Sequence, residues 1–119
     1  MKMKEQNQQE DDVQVQEIYA ALAPYQAAHP SAQIDVRRRH EVSIHIRVID
    51  PDFRQMRRVA REDQFWPLLR QLPYETFANI TILLLLTPEE APRSMANLVF
   101  DNPVPESLDE EWLLPAVVE

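Results

Sequence analysis

In the first third of the chain, apolar residues recur three or four positions apart. Val15, Ile18, Leu22 and Tyr25 share one helical face, Asp12 stands where an N-cap belongs, Pro24 falls in the last turn, and His29-Pro30 closes the segment. The period then drops to two. Gln33-Ile34-Asp35-Val36-Arg37 alternates, and Val42, Ile44, Ile46 and Val48 fall on one side of a second strand, with Ser43, His45 and Arg47 on the other. Arg38-Arg39-His40-Glu41 between them predicts a hairpin without an Asn-Gly turn. After a turn at Asp50-Pro51-Asp52, the Asp52/Gln55 pair predicts a helix opening near Phe53. A further helical stripe follows in Phe65, Leu68, Leu69 and Leu72, interrupted at Pro67 and ended at Pro73.

The run Ile80-Thr81-Ile82-Leu83-Leu84-Leu85-Leu86 has neither period. It is far shorter than the roughly 20 residues a membrane helix needs, and prolines bound it. It reads as a central strand with apolar side chains on both faces, which requires something over each face. Thr87-Pro88-Glu89-Glu90 then supplies an N-cap, a proline at the first helical position and a glutamate that closes a capping box, predicting a last helix reaching about Leu98. The expected fold is α+β, in the order α-β-β-α(α)-β-α, with a three-stranded mixed sheet and helices packed on one face. Residues 1–11 read as a disordered polar leader, 12–100 as the folded domain and 101–119 as an acidic, proline-containing tail. The tail's Trp112, Leu113 and Leu114 either fold back over the sheet or form an interaction motif; a second subunit is the other candidate cover.

Composition narrows the functional classes. With no cysteine among 119 residues, disulfides, thiolate metal sites and thiol nucleophiles are excluded. With no glycine, a Walker loop, a dinucleotide-binding turn, a nucleophile elbow and a GxxG loop are excluded in their usual forms. The N-terminus has no apolar stretch resembling a signal peptide, so a cytoplasmic location is expected. A net charge of −8 argues against nucleic acid as a partner, but the basic residues are concentrated: nine of the twelve lie between Arg37 and Arg70.

Within that basic region, Arg54, Arg57, Arg58 and Arg61 stand at offsets of 0, 3, 4 and 7, so one helix would show four guanidinium groups on one side. Such a stripe, with Phe53 and Trp66 beside it, would bind a carboxylate-rich partner. The plainer alternative is a solvated face, with Glu62 paired back to Arg58 or the acidic tail lying along it. His40 and His45 lack metal-ligand spacing, Ser43 and His45 lack an oxyanion turn, and Glu62-Asp63 fits helix-end electrostatics better than acid–base work. No catalytic residue, metal ligand or cofactor is expected from these patterns.

Residues 53–66, Phe-Arg-Gln-Met-Arg-Arg-Val-Ala-Arg-Glu-Asp-Gln-Phe-Trp, resemble the central motif of BolA-like proteins, with Phe53, Arg61 and Trp66 in register. A strand running into Thr87-Pro88-Glu89-Glu90 also resembles that family, as does the order of elements over roughly residues 10–98. The resemblance implies a class II KH-like α+β fold and, in function, pairing with glutaredoxin-like partners. Gln55 stands where the motif has glycine, Ala91 where the family has tryptophan after Thr-Pro-Glu-Glu, and Glu62 and Asn79 where histidines would supply iron–sulfur ligands. The expected function is therefore a non-enzymatic adaptor that binds a protein partner and has lost the histidine ligand. A KH-like nucleic-acid-binding or transcription-regulatory domain is the alternative, and a small enzyme the third class.

Overall fold

Helix α1 (Val13–Ala28) buries Val15, Ile18, Leu22 and Tyr25, the face its periodicity predicts. The computed structural model describes residues 12–102. Asp12 accepts the Val15 amide at 3.2 Å and also holds Arg38 through Nε at 2.7 Å, so one carboxylate caps the helix and ties it to the sheet. The Arg38 hydrogen bond holds the Asp12 carboxyl below its ordinary range. Without a glycine to turn the chain at its C-terminal end, α1 closes with its side chains. Gln26 Nε2 donates to the Ala32 carbonyl at 2.8 Å and to that of His29 at 3.2 Å.

Strands β1 (Gln33–His40) and β2 (Ser43–Ile49) form an antiparallel hairpin across Glu41-Val42, pairing Gln33 with Ile49 and Val36 with Ile46. Val42 belongs to the turn and is 60% exposed, so it does not join the apolar face. Strand β3 (Ile80–Leu86) runs parallel to β2, and the order across the sheet is β1-β2-β3. The leucine-rich strand is therefore an edge strand rather than the central one. The hairpin occupies one side of β2, the crossover brings β3 to the other, and no fourth strand follows among the described residues. Exposure agrees: Leu85 is buried, whereas Ile82 is 42% exposed.

Between β2 and β3 the chain forms a 3-10 turn (Pro51–Phe53) and the short helices α2 (Arg58–Asp63), α3 (Trp66–Leu69) and α4 (Tyr74–Ala78). The expected helix start at Phe53 is displaced. Asp50, not Asp52, does the capping there, accepting the Asp52 amide at 2.9 Å. Gln55 then adopts φ 68°, a left-handed conformation that breaks the helical path until Arg58. Pro73 ends one pattern and also stands at the N-cap of α4.

The α+β class and the element order are those expected. Val36, Ile44, Ile46 and Val48 pack with α1, Phe53, Phe65 and Leu69 in one core on one side of the sheet. Each such side chain contributes about 1.5–3 kcal/mol on burial. One helix is added on the opposite side: α5 (Met95–Asp101), following a 3-10 turn at Ala91–Arg93. Its Phe100 is 3% exposed and stands over the Ser43/His45/Arg47 face, for which the tail or a second subunit was the expected cover. Arg47 is buried there. It donates to Asp35 (2.8 Å), Asp101 (2.9 Å) and Asn97 (2.9 Å), with its guanidinium 4.4 Å from the Phe100 ring centroid. Burial alone would lower its pKa, but the two carboxylates more than reverse this, and the net direction is up. The tail containing Trp112, Leu113 and Leu114, and the leader at 1–11, lie outside the described residues. No helix among the described residues is long and apolar enough to cross a membrane.

Candidate functional site

The four arginines do not share a helix. Arg54 follows the 3-10 turn, Gln55 reverses the backbone, Arg57 is the N-cap of α2, and only Arg58 and Arg61 lie within it. What collects them is the turn after β3. There the capping box forms as its sequence predicts: the Glu90 amide donates to Thr87 Oγ1 at 3.1 Å, and the Thr87 amide donates to Glu90 Oε1 at 3.0 Å. The box closes a single turn and not a helix reaching Leu98, because Pro92 falls in the following 3-10 segment and Ser94 starts α5 afresh.

Arg61 meets the Glu90 carboxylate in a fork, Nη1 to Oε1 at 2.8 Å and Nη2 to Oε2 at 3.1 Å. Its remaining donors reach the Leu85 carbonyl from Nη1 at 3.0 Å and the Met56 carbonyl from Nε at 3.1 Å. This buried guanidinium is thus hydrogen-bonded in several directions, the condition under which burying a charge is tolerable. The Arg61 bonds, reinforced by the Thr87 amide, hold the Glu90 carboxyl down at about 2. Arg54 makes a second fork with Glu89, and that bond lowers the Glu89 pKa. Both members of this outer pair are well exposed, so it is worth little.

Arg57 and Arg58 are different. Both are exposed, and neither makes an ion pair among the described residues. Arg58 borders a cleft of about 500 Å³ lined also by Arg61, Leu85, Leu86, Glu89, Glu90, Arg93 and Ser94. With Arg54 and Arg61 matched to Glu89 and Glu90, Arg57, Arg58 and Arg93 have no such match among the described residues, and Arg58 and Arg93 line the cleft with Leu85 and Leu86.

Phe53, expected on the contact surface, is fully buried. Its ring lies 6.1 Å from Phe65 and 6.4 Å from Tyr25, with the Arg61 guanidinium 5.5 Å from its centroid. It supports Arg61 from within and does not face a partner. Trp66 is half-buried edge-on against Phe77. Ser43 is no nucleophile poised by His45: its hydroxyl bonds Thr81 Oγ1 at 2.7 Å, and the His45 ring lies against Phe100. Burial first, then nearby Arg39 and His40, lowers the His45 pKa. Asn79 ends α4 and donates to Gln14 at 2.9 Å, a structural position.

Sequence reasoning missed Glu89 and Glu90 as ion-pair partners, and Arg93 as part of the cleft. Glu90 was visible only as a capping residue, and no local pattern joins it to an arginine 29 positions away. No protein-family model matches the chain, and no curated protein and no solved structure match it.

Proposed function

We propose that this chain is a non-enzymatic, BolA-like interaction module that holds an acidic segment of a partner protein at the cleft beside β3. One observation carries the reading: Arg58 and Arg93 line the cleft with Leu85 and Leu86, Arg57 precedes Arg58 at the N-cap of α2, and none of the three has a carboxylate partner among the described residues, while neighbouring Arg54 and Arg61 are matched. Unmatched guanidinium groups suit carboxylates in fork geometry, and the Leu85-Leu86 strip offers contact to an apolar side chain between them. The left-handed backbone at Gln55 supports the BolA-like frame, because that is the position where the resembled motif has glycine. Glu62 and Asn79 stand where that family has histidine, so the module acts by contact and not by sharing a cluster.

The test is a fluorescence-anisotropy titration with a labelled Asp/Glu-rich peptide containing one leucine, alongside a single-stranded RNA oligonucleotide. Peptide affinity should fall at least about tenfold in the Arg57→Glu/Arg58→Glu variant, whose melting temperature should stay within about 2 °C of the parent. Equal peptide binding by that variant would remove the assignment. Tighter binding of RNA than of peptide would favour the nucleic-acid alternative.

A further inference from the structure

At the other end of the crossover, three groups from separate elements converge. His29 ends α1, Asp50 follows β2, and Asp52 lies in the 3-10 turn. His29 Nδ1 stands 2.7 Å from Asp52 Oδ2 and 3.5 Å from Asp50 Oδ2, and one ligand atom from each residue fits within 4.8 Å of the others. We infer that His29, Asp50 and Asp52 form a binding site for a divalent transition-metal ion of the zinc type.

The argument starts from Asp50. Its side chain is fully buried, and no lysine or arginine is paired with it among the described residues. Oδ1 accepts the Asp52 amide and Oδ2 accepts the Tyr25 hydroxyl, both neutral donors. A buried carboxylate needs a compensating positive charge, and among the described residues the basic group paired with it is the imidazole of His29. A protonated ring meets that need in part. A divalent ion meets it fully, neutralising two carboxylates at once.

Geometry favours the ion. Zinc bonds of about 2.0–2.2 Å in a tetrahedral arrangement place neighbouring donors roughly 3.3 Å apart. The two histidine–carboxylate separations bracket that value, and Asp52, 63% exposed, is free to adjust. Nδ1 faces both carboxylates whether it carries a proton or offers its lone pair. The outer supports that ligands require are also in place. The Tyr25 ring stacks on His29 at 4.0 Å and 12°, fixing the imidazole plane, while its hydroxyl holds Asp50. The exposed side of Asp52 leaves a path in and room for water as the fourth ligand. One imidazole nitrogen with two carboxylate oxygens suits zinc and its first-row neighbours better than calcium or magnesium, which prefer oxygen alone.

The test is isothermal titration of the full chain with zinc chloride, repeated with calcium chloride. One zinc ion per chain is expected, with affinity at least about tenfold weaker in Asp52→Ala and in His29→Gln. Asp52→Ala removes an exposed side chain, so its metal-free melting temperature should match the parent's and separate ligand loss from misfolding. His40→Gln, altering a histidine outside the cluster, should bind as the parent does. Absence of zinc binding, undiminished binding in Asp52→Ala, loss of binding in His40→Gln, or calcium binding as tight as zinc would each overturn the assignment.

Discussion

The two faces of β2 solve different problems with alternate residues of one strand. Ile44, Ile46 and Val48 meet α1 and the buried aromatic rings, where stability comes from hydrocarbon removed from water. Ser43, His45 and Arg47 meet α5, where Phe100 covers a charge network that must be satisfied bond by bond. The first face tolerates any shape that fills it. The second tolerates only partners in the right places, because a buried guanidinium without its carboxylates costs far more than a missing methyl group.

Substitutions of increasing subtlety test that contrast. Ile46→Ala should cost about 3 kcal/mol in urea unfolding, through lost transfer energy and a cavity in the fully buried core. Arg47→Ala should cost about 2 kcal/mol, below the usual range for a buried pair because Asp35 and Asp101 retain access to water. Arg47→Met, which keeps the stem over Phe100 but still leaves Asp35 and Asp101 without their cation, should recover only a minor part of that loss; full recovery would mean that packing and not the charge network sets the cost. Off both faces, Gln55→Gly should raise stability by about 0.5–1 kcal/mol by relieving the left-handed backbone. A loss on that change would mean the glutamine side chain has a role of its own.

The smallest effect separates the faces by pH. His45 has a depressed folded-state pKa, so its neutral form is favoured by folding. Its contribution is complete above the unfolded imidazole value of about 6.5 and is lost as pH falls through the lower folded value. Melting temperature should therefore decline modestly on mild acidification, and His45→Gln should flatten that slope. The Glu90–Arg61 pair should not contribute to it. Its stabilisation is complete above the ordinary carboxylate range and is lost as pH falls towards about 2.

What could be read from the chain was local. The α1 face, the shared side of Ile44, Ile46 and Val48 and the Thr87/Glu90 box each complete themselves within a few residues and form as expected, although Val42 falls in the turn and the box closes one turn instead of opening a helix. The rest depends on partners brought from far away. Whether β3 is central or at an edge depends on which side of β2 is free, and seven apolar-rich positions cannot say. Arg54 and Arg61 sit at helical offsets from Arg57 and Arg58, yet carboxylates 35 and 29 residues later decide what they do. The His29/Asp50/Asp52 cluster has no motif spacing either, since its members meet only when α1 docks beside the end of β2.

The Arg61 bond to the Leu85 carbonyl also bears on how these molecules behave in company. An uncharged strand at the margin of a sheet presents unused peptide groups to which another chain could add, and β3 has neither lysine nor proline within it to discourage that. The guanidinium fills one of those places and is held there by Glu90. Releasing it by Arg61→Ala should leave a chain that aggregates faster at high concentration, measured by light scattering. That outcome would give the arginine that closes the turn a second role, keeping copies of the molecule apart.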